Sequence, residues 1–178
     1  MTKQIPIIVI ALKITAKKGL NNFRRNQNFY KSFAFFYDKV IANLHNIPAC
    51  IEIKQQDNNL IILWDYSNNR ITDLLQEYRT LHLLRRETNK KFTRCPIKYS
   101  LVLEFAPCKI LKLTPSLKAP QLLIESDMIE RSQKVLSCLD GKKYPSLMFT
   151  HAFYELLPLQ IKKNCNCPYY FFHICCYS

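Results

Sequence analysis

Two glycines in 178 residues set the tightest limit on this chain. Glycine takes left-handed backbone without a Cβ penalty, so tight turns, helix ends and phosphate-cradling loops are normally built on it. With only Gly19 and Gly141 to use, no glycine-rich phosphate loop and no dinucleotide fingerprint can be written here. Turns must rest on Pro and Asn, with Asn standing in at left-handed positions. The shortage is wider than glycine: Val occurs four times, and Gly, Val, Ala, Asp and Glu together number 27. These are the residues whose codons begin with G, so the coding strand is poor in that base. Such a bias fits an AT-rich organelle, parasite or virus, and it also fits a reading frame never selected as a protein.

At 48% hydrophobic residues the chain can bury one core by itself, which points to a single basic domain over residues 1–160 and a Cys- and aromatic-rich tail over 161–178. Charge is unevenly spread. Lys and Arg number 26 against 13 acids, a formal +13. Residues 1–37 carry Lys3, Lys13, Lys17, Lys18, Arg24, Arg25 and Lys31 and no carboxylate, whereas Asp38 to Leu84 holds four basic and six acidic residues. A second basic cluster, Arg85, Arg86, Lys90, Lys91, Arg94 and Lys98, surrounds only Glu87. Charge segregated in this way attracts polyanions.

Residues 1–25 have two readings. A basic, acid-free start resembles an organelle-import segment, but the β-branched run Ile5 to Ile10 equally makes a buried strand followed by a basic loop. The apolar run is too short for a membrane span, and Lys13, Lys17 and Lys18 follow too soon for a secretory signal. The expected location is therefore intracellular, cytoplasmic or mitochondrial. Eight cysteines, four scattered and four crowded after residue 164, form no regular disulfide framework and are expected to be reduced.

Periodicity gives the elements. Phe33, Phe36, Tyr37, Val40, Ile41 and Leu44 share a helical face. Ala49–Lys54 and Leu60–Tyr66 alternate around the polar Gln55–Asn59, a β-hairpin. A second helix, capped by Asn68 or Asn69, aligns Ile71, Leu74, Leu75, Tyr78, Leu81, His82 and Arg85. A basic loop follows. Strands are expected at Ile97–Phe105 and Lys109–Thr114, with Pro107 between them, and helices at Gln121–Leu139 and Ser146–Leu157. The class is α+β: a β-α-β-β-α-β order of ferredoxin-like type through Phe105, then a more helical C-terminal part.

The chemistry points to binding more than to catalysis. Trp64 and Tyr66 on one strand, Tyr99 on another, and basic flanks resemble the platform on which sheet-type proteins stack bases and hold phosphates, although the RNA recognition motif consensus is absent. The expected function is non-enzymatic binding of nucleic acid, RNA favoured, as an organellar or viral accessory protein. Its contacts would be Arg24, Arg25, Arg85, Arg86, Lys90, Lys91, Arg94, Lys98 and Trp64, with no catalytic residue, metal or cofactor. Trp64 also reads as core. The alternatives are an accessory factor with a protein partner, an unselected reading frame, and a metal-dependent nuclease using Asp38, Glu52 and Lys54. Cys165, Cys167, His173, Cys175 and Cys176 have zinc-compatible atoms but not knuckle spacing, and His45, His82 and His151 have no triad partner in sequence.

Overall fold

The computed structural model describes the backbone of residues 2–17, 23–68, 70–113, 121–125, 127–138, 147–163, 165–169 and 172–175. It describes side chains for 5–17, 27–68, 70–105, 107, 127–137 and 147–163. Strand β1 (Thr2–Ala16) lies between β3 (Asn59–Asp65) and β4 (Ile97–Leu113), antiparallel to both. A strand with neighbours on both edges and helices on both faces needs apolar side chains on each. Residues Ile7 to Leu12 supply them and are all buried. The N-terminal segment is thus a central strand over Thr2–Ala16.

Helix α1 (Phe23–Leu44) lays Phe29, Phe36, Val40 and Leu44 on one face of the sheet, with Ile8, Ile10, Leu12 and Ile14 of β1. The hairpin forms as expected, from β2 (Cys50–Gln56) and β3. Its turn puts Asp57 in the left-handed region at φ 53°, so an Asp rather than an Asn does the work of the missing glycine. Next to it, Asn58 binds β1 twice. Its Nδ2 donates to the Ile14 carbonyl at 2.7 Å, and its own carbonyl accepts from the Ile14 amide at 2.9 Å.

Helix α2 (Ile71–Lys91) departs from expectation at both ends. Arg70 is the residue at its N-terminus and makes no side-chain cap, so Asn68 does not fill that role, and Asn69 lies outside the described residues. At the other end the basic loop is helix through Lys91. The amide of Asn89 explains the extension: it donates to the Ile97 carbonyl at 3.0 Å and accepts from the Ile97 amide at 2.7 Å, clamping the last turn to the start of β4. Strand β4 is one strand, not two. Pro107 stands opposite Pro6, and the pairing with β1 continues without a change of register on both sides of this pair.

The strand order β2-β3-β1-β4, with α1 and α2 on one face, is the ferredoxin-like arrangement read from the sequence. The C-terminal part is less helical than expected. Gln121–Glu125 is a strand, β5, paired with the far end of β4, and the helix begins only at α3 (Met128–Cys138). Similarly, Leu147–Thr150 is β6, parallel to β4, before the short α4 (His151–Leu156) and α5 (Leu159–Lys162). Thr150 starts α4 by accepting from the Phe153 amide. The tail contributes β7 (Cys165–Tyr169) and β8 (Phe172–Cys175), the latter paired with β6. Helix α3 covers the second face, over Ile7, Val9, Ala11, Ile61, Leu63 and Val102.

Cys50, where β2 begins, gives a simple check of the packing. Burial pushes its thiol pKa up to about 11 from the ordinary 9.0. At pH 8 its thiolate fraction is then about a hundredfold below that of an open thiol. In peptide maps after brief alkylation at pH 8, Cys50 is expected to stay unmodified in the folded chain and to react fully in denaturant; equal reactivity in both would contradict this packing.

Candidate functional site

Helix α3 leaves one end of the second face uncovered, and strand register decides what stands there. Lys13 faces Asn59 of β3 on one side and Ser100 of β4 on the other. Directly opposed residues point to the same face, so the three side chains form a row across the middle of the sheet. Lys98, opposite Thr15, continues the surface two residues along β4. Lys54, opposite Ile61, extends it onto β2 and lies 3.4 Å from Glu52. At the margin, Gln133 of α3 donates to Gln56 at 2.8 Å. Asn59 Oδ1 is buried there without a hydrogen-bond partner, an acceptor held ready at the base of the row.

Deeper under α3 sits a buried carboxylate. Glu104 is 2% exposed; its Oε1 accepts from Arg131 Nε at 2.6 Å and from Arg131 Nη2, and its Oε2 accepts from Ser132 Oγ at 2.9 Å. Arg131 also bonds Asp127 at 3.1 Å, and the Glu104 hydrogen bond holds its pKa above the ordinary guanidinium value. This group fixes α3 on the sheet and is fully engaged in doing so.

The residues expected to bind nucleic acid do not form one surface. Trp64 is 1% exposed in the first-face core, where Tyr66 and Tyr99 are also buried, so none of these rings is open to a base. Arg85 turns inward and sets its guanidinium 5.6 Å from the Tyr99 ring. Arg86, Lys90 and Arg94 are exposed at the C-terminal end of α2 and just beyond it, and Lys91 covers the Phe35 ring at 4.1 Å. Lys98 projects from the opposite face. The side chains of Arg24 and Arg25 lie outside the described residues, as do those of the terminal Cys and His cluster. The nuclease arrangement is not assembled either, because Asp38 is exposed on α1, over the first face, while Glu52 and Lys54 belong to the second.

No protein-family model matches the sequence, and no curated protein matches it. The fold, by contrast, is that of nucleotide cyclase domains. The adenylyl cyclase CyaB from P. aeruginosa superposes with a TM-score of 0.64 at 9% identity, over 100% of this chain and 97% of that one. The guanylyl cyclase Cya2 gives 0.64 at 12% identity, covering 97% and 92%. Adenylate cyclases from Trypanosoma brucei give 0.53 at 12% identity, covering 95% and 89%. This overturns the expectation of a non-enzymatic nucleic-acid-binding or viral accessory protein with RNA as its partner: the α+β sheet with basic flanks has the fold of nucleotide cyclase domains, and its aromatics are core. A likeness over the whole chain also argues against an unselected reading frame, which would have no reason to share it. No helix among the described residues is long and apolar enough to cross a membrane.

Cyclising a nucleoside triphosphate is a phosphoryl-centre displacement, chemistry that commonly uses divalent cations held by carboxylates. The described residues assemble no full set of protein ligands for such an ion. Among the described residues no three His, Cys, Asp or Glu side chains converge, and the exposed end of the second face carries Lys13, Lys54 and Lys98 instead. Sequence reasoning missed this row. Lys13 following the apolar run Ile5–Leu12 was its one visible signal, while Asn59 and Ser100 join it only through register.

Proposed function

We propose that the protein serves cyclic-nucleotide synthesis as a nucleoside-triphosphate-binding domain, holding phosphates with lysine rather than with metal. The observation that supports it most is the cyclase fold over essentially the whole chain. The row Lys13, Asn59 and Ser100, with Lys98 beside it, adds cations and hydrogen-bonding groups suited to phosphate oxygens. Among the described residues no group of three His, Cys, Asp or Glu side chains converges there, so phosphate binding without cyclisation is the activity expected of this chain alone.

Titration with ATP and GTP, with magnesium and with a chelator, followed by chromatography of the products, tests both halves of the reading. Binding should survive chelation, and Lys13→Glu with Lys98→Glu should weaken it by about tenfold or more, as loss of charge-assisted contacts does. No cyclic nucleotide should accumulate. Absence of binding would sink the proposal, and magnesium-dependent cyclic product would replace it with a working cyclase.

A further inference from the structure

A cavity of about 570 Å³ lies between the first face of the sheet and helices α2, α4 and α5, on the opposite side from the lysine row. Its volume is that of a small-molecule site. Ile62, Leu101, Leu103, Phe149, Phe153 and Leu157 are among its apolar lining. Tyr78, His82, Arg85 and Tyr99 bring polar groups to it where α2 crosses β4, and Arg79 of α2 lines it as well.

Arg85 is the informative member. Its guanidinium carbon lies 5.6 Å from the centre of the Tyr99 ring, its Nη2 lies 3.4 Å from His82 Nε2, and its Nε is buried with no acceptor. No carboxylate among the described residues pairs with it. A half-buried cation left without an anion is costly, and the guanidinium fork matches a carboxylate. His82 does not supply that anion and does not add to the charge, because burial and then Arg85 and Arg86 lower its pKa and keep it neutral. Glu77 also lines the cavity, but it lies about 12 Å back along α2, two turns and more from Arg85, and is bonded to Asn43 at 2.5 Å.

We propose that this cavity binds an amphiphilic monocarboxylate of the fatty-acid type, its chain among the leucines and phenylalanines and its carboxylate on Arg85. A neutral apolar molecule would leave the Arg85 Nε as it is. A polyphosphate would leave the apolar wall unmatched.

Calorimetric titration of the full chain with dodecanoate and with dodecanol, both below their micelle concentrations and without nucleotide, tests the assignment. Dodecanoate should bind about tenfold more tightly than dodecanol or better, the usual worth of a charge-assisted hydrogen bond. Arg85→Met should bring dodecanoate down to the level of dodecanol and leave dodecanol unchanged, with circular dichroism establishing that the variant is folded. Equal affinity of the two probes for the unaltered chain, or binding of neither, would overturn the proposal without reference to any variant.

Discussion

Arg131→Met is expected to destabilise the protein by about 3 kcal/mol, because it leaves Glu104 buried without its cation. Glu104 is 2% exposed, and Arg131 is its charged partner. After the change only the Ser132 hydroxyl would remain on the carboxylate. Arg131 is itself half exposed, which puts the cost at the low end of what a broken buried pair entails. The double variant Glu104→Gln with Arg131→Met should recover much of the loss, since it removes the stranded charge along with its partner. Urea unfolding of the two variants and the parent measures both effects. If the double variant were no more stable than Arg131→Met, the pair would not be what holds α3 on the sheet.

Trp64→Ala should cost more, about 4 kcal/mol, the usual price of removing a fully buried indole. The ring is 1% exposed in the cluster that joins α1, α2 and the first face of the sheet. An exposed residue sets the baseline: Leu83, 61% exposed on α2, should change stability by less than about 0.5 kcal/mol when replaced by Ala. The comparison also separates two uses of tryptophan, because a surface ring waiting for a base would behave like Leu83. A Trp64→Ala cost below about 1 kcal/mol would argue for that surface role.

Much of the first half of the fold can be read from local pattern. The hairpin around Asp57 and the apolar faces of α1 and α2 follow from alternation and helical spacing, and the ferredoxin-like order follows from them. The misreadings share a cause: they depend on partners distant in sequence. Leu122, Leu123 and Ile124 form a short apolar run that suits a helix or a strand, and only the neighbouring β4 decides for the strand. Pro107 looks like a break until Pro6 is found opposite it. Helix α2 runs on through Lys91 because Asn89 reaches Ile97.

The site was harder to see than the fold. Net charge is legible in a sequence, but what each charge faces is not. Arg85 belongs by spacing to the face that α2 buries, yet its basic neighbours Arg86, Lys90 and Lys91 suggested a phosphate-binding cluster. Tyr99 beneath it shows why it turns inward. Lys13, Asn59 and Ser100 are brought together by two ladders on either side of β1, a relation no local window contains.

The central place of β1 also governs the order in which the molecule can acquire its shape. Thr2–Ala16 leaves the ribosome well before its partner β4, which begins at Ile97, with Leu111 closing the pair at Thr2. Until β4 arrives, a continuous apolar strand has one exposed edge and no second-face helix to cover it, which is the condition that invites pairing with other chains. The decisive contacts are non-local, so formation of the sheet centre belongs with the slower class of folding reactions, and β1, made before its partner β4, waits for that partner to be completed.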